Sequence, residues 1–257
     1  MTRLAGPSDL GHLIKPFVLL YYISLPPETR LPSDLHAHSG IGSVSMVIDG
    51  SLHLRDSRDA PATLESGGME WICSGSGIWH GGPSTVSGHL RGFQMWVSLP
   101  PHLELSEPRE QFLQPDELPQ AGPARILLGR HGKLESPIAT PSPMTYLHVR
   151  LTAGERWRYE PPRDHDVLWI ALYAGSLEAG GSALGEGELV IFEEGNHAVD
   201  FVAHGPCGFV LGSALRSPHH LVEGFNSVHT SADALQRAQA QIGHLAERLR
   251  EQGRLKT

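Results

Sequence analysis

Cysteine is nearly absent: the 257 residues include two, Cys73 and Cys207. They stand far apart among apolar or small neighbours, which excludes a disulfide framework and reads as a pair of reduced thiols. Positive charge is also scarce, with 20 Lys and Arg against 28 Asp and Glu and a formal net charge of −8. Such a chain has no basic field, so no direct nucleic-acid binding and no membrane-surface role is expected. No apolar run approaches the roughly 20 residues of a spanning helix, and the opening stretch 1–10 lacks the long apolar core of a secretion signal. The expected location is cytoplasmic.

What the chain has in quantity is turn chemistry, with 29 glycines and 20 prolines spread along its length. Together with 40% hydrophobic residues, this predicts a globular protein of many short strands joined by tight turns. From Val44 the apolar residues Val44, Met46 and Ile48 alternate with polar Ser43, Ser45 and Asp49, the period of a half-buried strand. Asp49-Gly50-Ser51 is a hairpin signal, with Leu52 and Leu54 opening the return strand. Met69–Cys73, Trp79-His80 and Gly92–Val97 are further short strands, and their close spacing predicts a jelly roll or barrel.

Residues 99–143 are rich in proline and acid and read as a surface linker, broken by a short strand at Arg125–Leu128. A second strand-rich region follows, over 146–151, 167–173, 176–178, 188–192, 198–202 and 207–211. It repeats the first loosely, since Gly50-Ser51-Leu52 has a counterpart in Gly175-Ser176-Leu177, and the repeat favours two related barrels over one. Thr230-Ser231 offers an N-cap, with Asp233 close behind. Ala234, Leu235, Ala238, Ile242, Leu245 and Leu249 then keep helical spacing, predicting a helix at about 231–251. The expected division is an N-terminal barrel with its linker over 1–135 and a C-terminal barrel with the helix over 136–257.

The residues that carry chemistry are histidines. On a strand, positions i and i+2 share a face about 7 Å apart, so His36 and His38 turn two imidazoles toward one point. Counting back from Val44 and Met46 puts both on the interior face, provided that no bulge intervenes at Ser39-Gly40. His80 is a third candidate, and three histidines suffice for catalytic zinc or non-haem iron with positions left open for water or substrate.

The segments His36–Gly50, Gly68–His80 and Gly92–Pro100 resemble the pirin family. The likeness extends to Lys15–Leu20, to Glu107-Pro-Arg-Glu-Gln-Phe112 and to Glu223-Gly-Phe-Asn-Ser-Val-His-Thr230. The resemblance implies an all-β protein, two cupin (jelly-roll β-barrel) domains packed together with a C-terminal α-helix. It implies a metal in the first barrel, held by His36, His38 and His80, with Fe2+ the expected ion, Zn2+, Ni2+ or Mn2+ the alternatives, and a metal-free state the remaining one. In the family a glutamate two residues after the third histidine completes the ligand set; here that place is Gly82. An acid expected shortly after the histidine pair is also missing, with Gly42 and Ser43 in its place.

Three neutral imidazoles leave a divalent ion its full charge, which weakens retention but favours an anionic ligand in the open position. The general base is then missing, and Glu70 is the one carboxylate close in sequence. Pointing inward, it would act as a distant fourth ligand or as a base; pointing outward, it is a structural acceptor. Met46, Trp71, Trp79 and Phe93 are expected as barrel core and as the walls of an apolar pocket for a flat ligand. In the second barrel Pro161 and Arg163 fall where His36 and His38 stand, so no metal is expected there, and His165 and His197 read as exposed loop histidines. Two functions follow. One is a quercetin 2,3-dioxygenase-like oxygenase acting on a small aromatic or phenolic substrate. The other is a non-enzymatic, pirin-like regulatory or binding protein with a degenerate or sensory metal site and an unidentified protein partner.

Overall fold

In a computed structural model, which describes residues 1–31, 35–55, 60–82 and 84–255, the chain divides into two compact units. One holds Met1–Leu13, Phe17–Pro115 and the chain from Pro218 onward; the other holds Ile14–Pro16 and Asp116–Ser217. Both are built from antiparallel strands, and the helix Ala232–Glu251 is the one α-helix among the described residues. Among the described residues no helix is long and apolar enough to cross a membrane.

The first unit centres on an antiparallel sheet in the order Thr2–Ala5, Phe17–Leu25, Ser84–Ser98, Ile41–Arg55, Met69–Cys73, Arg109–Leu113. The expected hairpin at Gly50 is not there. Ile41–Arg55 runs through as one strand, its register shifting on either side of Asp49. Gly50 has φ +76, and an added Cβ would press on the carbonyls of Ser87 and His89. It therefore serves a bulge against the neighbouring strand, where only glycine avoids both strain and clash.

The interior face is the one that carries the odd residues up to Val47. Val47, Leu64, Val86 and Leu90 form a buried cluster on it, with Ile23, Leu25, Leu52, Leu54 and Phe112 packed alongside. Val44, Met46, Trp71, Phe93 and Met95 are equally buried but occupy the other face, as the register Val44↔Trp71, Val44↔Met95 and Met46↔Phe93 requires. The phase that joined the histidines to Val44 and Met46 is broken at Ser39-Gly40. His36–His38 forms a separate two-stranded sheet with Ile78–His80. Gly40 turns the chain with φ +69, and a side chain there would run into the Val228 carbonyl and the His229 ring.

Two further expectations are corrected. Part of the supposed linker is a strand of the first sheet, Arg109–Leu113 paired with Met69–Cys73. The C-terminal helix belongs with the first unit and not with the second barrel. Ser231 caps it by accepting from the Ala234 N–H at 3.2 Å, as the sequence indicates. It is seated by Trp79, whose Nε1–H donates to the Ile242 carbonyl at 3.1 Å. Gly77 leaves room for it, because an added Cβ would lie 2.9 Å from Ile242 Cγ1.

The second unit has a six-stranded sheet, Gln120–Ala121, Ala124–Leu128, Met144–Leu151, Cys207–Ala214, Val167–Ala174, Leu189–Ile191, and a four-stranded one, Arg156–Tyr159, Val199–Ala203, Ser176–Ala179, Ser182–Gly185. Both contribute to one apolar core that includes Leu147, Ile170, Leu211, Leu177 and Phe201, the packing of a sheet sandwich. Gly175 repeats the conformation of Gly50, with φ +75, so the sequence repeat marks matching kinks. His165 departs from expectation: it is buried, with Nδ1 2.8 Å from Ser213 Oγ.

Candidate metal centre

The pairing of His36–His38 with Ile78–His80 sets His36 opposite His80 and His38 opposite Ile78. The three rings converge, with centroids 4.4 Å apart for His36 and His80, 4.9 Å for His36 and His38, and 5.0 Å for His38 and His80. One ring nitrogen of each lies within 4.8 Å of the other two. His38 is the most enclosed, 3% exposed, with Trp96 edge-on at 5.1 Å. Its Nδ1 sits 2.9 Å from the Asn226 carbonyl oxygen. A carbonyl only accepts, so Nδ1 carries the proton and Nε2 keeps its lone pair.

Nε2 of His38 and Nε2 of His80 are both buried without a hydrogen-bond partner. Buried polar atoms are normally satisfied, and an exception calls for an explanation such as an ion. Burial, the neighbouring histidines adding to it, holds His80 down to about 2. Burial also lowers His38 to about 4, with the Asn226 carbonyl opposing and His36 assisting. Both rings are neutral at pH 7, the form that ligates. The donor set thus fits a divalent cation.

The carboxylates that the sequence withheld return from other strands. Glu70 pairs across the sheet with Ser45, and Ser45 with Gln94, so all three share the interior face. A cavity of about 350 Å3 is lined by Glu70, Ser45 and Gln94 together with His36, His80 and a wall including Ile23, Leu25, Leu52, Leu54 and Leu90. Glu70 therefore points inward. Glu110, opposite Ile72 on the adjacent strand, falls on the same face, and one oxygen of each glutamate lies within 4.8 Å of a nitrogen of His80 and of the other. Burial first, and then the like charge of Glu110, lift Glu70 to about 7, while a hydrogen bond from Ser45 opposes the rise.

Stability should register that shift in chelator-stripped protein. Glu70 rises from the usual 4.5 to about 7, so the folded state binds its proton more tightly than the unfolded chain. This contribution is complete below pH 4.5 and is lost as pH rises through 7. His38, held at about 4 against 6.5, works the other way, contributing stability above pH 6.5 that is lost as pH falls through 4. Glu70→Gln removes the first effect alone, and should lessen the loss of stability between pH 5 and 8 by about 2 kcal/mol. Urea denaturation at the two pH values measures it, and an unchanged loss would mean that the fold does not raise the Glu70 pKa.

Of the predicted pocket residues, Trp79 lines a groove of about 410 Å3 with Leu35, His36, Phe225 and Ile242. Met46, Trp71 and Phe93 border neither that groove nor the other two cavities at His36; they lie on the opposite face of the sheet. The missing acids also have physical causes. An added Cβ at Gly42 would meet the Trp71 ring, so no carboxylate fits there. At Gly82 there is open space, but φ is +128, a conformation nearly confined to glycine.

Behind the histidines lies a network that sequence reasoning missed. Ser39 donates to Nε2 of His229 at 3.0 Å, and Nδ1–H of His229 donates to Glu104 at 3.2 Å. Glu104 also accepts from the Thr230 N–H at 2.7 Å and the Thr230 hydroxyl at 2.6 Å. Burial lowers the His229 pKa, with Glu104 opposing. The order serine, histidine, acid suggests a nucleophile, yet Ser39, His229 and Glu104 are 0%, 1% and 3% exposed. No substrate carbonyl reaches Ser39, and the network holds the segment 226–230 against the histidine strand. The only sequence signal was the family-like segment Glu223–Thr230; nothing marked Glu104.

A family model described as Pirin matches residues 3–97. A candidate quercetin 2,3-dioxygenase of Pseudomonas aeruginosa is 30% identical over 202 residues, spanning 70% of this chain and 67% of that protein. Among solved structures, a quercetin 2,3-dioxygenase from Acinetobacter baumannii superposes with a TM-score of 0.84 at 19% identity, covering 94% of this chain and 89% of the other. A bacterial pirin from Escherichia coli, in complex with nickel(II), gives 0.64 at 14% identity, covering 79% and 84%. At those identities the structures show the fold, which is that of the two-barrel cupins.

Proposed function

The chain belongs to the pirin family, and we propose that it is a divalent-metal cupin oxygenase of the quercetin 2,3-dioxygenase kind, taking a small aromatic or phenolic anion. The observation that carries this reading is the pair of buried, unpartnered Nε2 atoms of His38 and His80 converging beside His36. Together the three histidines would hold the ion. Imidazole and carboxylate donors suit iron, so Fe2+ is the first assignment and Zn2+, Ni2+ or Mn2+ the alternatives. The nickel-bound pirin of E. coli supports a divalent ion without choosing among them. When bound, such an ion supplies Lewis acidity and open positions for O2 or an anionic oxygen.

The rest is the work of the chain. The leucine-rich wall of the 350 Å3 cavity excludes water and accepts a flat apolar ring. Glu70 borders the cavity with His36 and His80, so its carboxylate is placed to take the proton of a phenolic hydroxyl that enters beside it. Gln94 and the Ser45 hydroxyl border the same cavity and orient polar substituents of the ring. Turnover of a flavonol panel by iron-loaded protein, absent from His80→Ala, is the expected result. No turnover with any of the four metals would sink the oxygenase reading. It would favour the second one, a binding or regulatory protein whose metal site is sensory, which the glycine at position 82 in place of the family's glutamate supports.

A further inference from the structure

We propose that Glu110 and Glu70 together supply the carboxylate ligation that this chain lacks at Gly82, closing the ion from the neighbouring wall of the barrel. The inference rests on the metal site proposed above and names a ligand arm that the family pattern does not contain. Its basis is geometric. Two donor sets, His36 with His38 and His80, and His80 with Glu70 and Glu110, each gather their ligand atoms within 4.8 Å. His80 belongs to both, and its Nε2, buried without a hydrogen-bond partner, is taken as the atom that the two sets share. One ion at that junction draws on imidazoles from one side and carboxylates from the other.

The strands are built to deliver this arm. In the register Glu70↔Phe112 and Ile72↔Glu110, the two glutamates are diagonal neighbours on one face of an antiparallel pair, within reach of each other for long side chains. Phe112 packs into the apolar cluster of that face and so turns Glu110, two residues earlier, inward as well. Gly81 and Gly82, at φ +108 and +128, border the same cavity just past His80, where the family's glutamate would stand, and bring no carboxylate to it. A carboxylate from the next strands restores the negative charge without a side chain at those positions. Carboxylates reduce the net charge of the centre and move its preference toward the harder ions Fe2+ and Mn2+.

The test is metal titration of the chelator-stripped full chain with Mn2+ by calorimetry and with Co2+ by visible absorption. Wild type is compared with Glu110→Gln, Glu70→Gln, the double variant, Glu110→Asp and His80→Ala, with circular dichroism reporting the fold. Each Gln substitution should weaken Mn2+ binding by at least the roughly 10-fold that outer-shell substitutions cost and shift the Co2+ bands. Glu110→Asp keeps the charge but withdraws the oxygen, and should fall between; it decides the matter if a Gln variant fails to fold. Folded Gln variants with wild-type affinity and an unchanged Co2+ spectrum would overturn the carboxylate arm while leaving the three histidines standing. If wild type binds no metal, or His80→Ala binds it as wild type does, the site itself falls and the arm with it.

Discussion

His80→Ala should abolish metal binding and, in the metal-free protein, cost little or no stability. His80 is common to both donor sets, so its loss leaves neither intact. The affinity should fall by more than the roughly 100-fold that outer-shell substitutions reach. The stability expectation runs the other way. Nε2 of His80 is buried without a partner, and removing an unsatisfied polar group relieves a desolvation penalty of about 1–3 kcal/mol. Loss of the buried ring's packing offsets that gain. Bound metal stabilises wild type by about 4 kcal/mol when present at 1,000 times its Kd, and the variant gains none of it. Thermal melts with and without Fe2+ or Mn2+ check both parts. Wild type should shift upward with metal and the variant stay fixed, near the metal-free wild-type midpoint. A variant that still responds to metal would move the site away from His80. One that collapses without metal would make His80 structural.

That pairing of poor local satisfaction with precise convergence explains why much of the site was legible in the sequence and why the remainder was not. His36 and His38 at strand spacing, with His80 in a segment between glycine turns, carry their chemistry in residue type, and residue type survives without coordinates. The interior face was misread because alternation was extended across Gly40. There a left-handed glycine starts a new strand, and the apolar stripe of Val44 and Met46 turned out to line the face away from the cavity. Burial on both faces of the sheet hides which stripe faces the site. Arg109–Leu113 reads as linker because one of its two inward positions, Glu110 beside Phe112, is an acid, which breaks the hydrophobic period that would announce a strand. Functional positions are where local pattern fails. The helix was predicted almost to the residue, yet assigned to the wrong unit, since spacing gives a helix its apolar face but not the neighbour of that face.

The largest loss of stability is expected at Glu104, a residue with no sequence signal at all. Its carboxylate accepts three hydrogen bonds, two from Thr230 and one from His229, at a position 3% exposed. Glu104→Ala would leave the buried His229 N–H and the half-buried Thr230 donors without their acceptor, and losing three hydrogen bonds to a charged group, each worth about 1.5–3 kcal/mol, should cost several kcal/mol in all. Ser39→Ala, at the far end of the same network, removes only the hydroxyl that His229 Nε2 accepts and should cost about 1 kcal/mol. The two substitutions also separate structure from chemistry. If Ser39, His229 and Glu104 form a brace, any activity should survive Ser39→Ala, and metal affinity should fall in step with stability, furthest in Glu104→Ala. The coupling is direct, because the segment held by Glu104 includes Asn226, whose carbonyl fixes the tautomer of His38. Urea denaturation and metal titration of both variants measure the pair of effects. Should Ser39→Ala prove the more damaging for activity while leaving stability untouched, the buried serine would have to be reached by substrate, and the brace would be disproved.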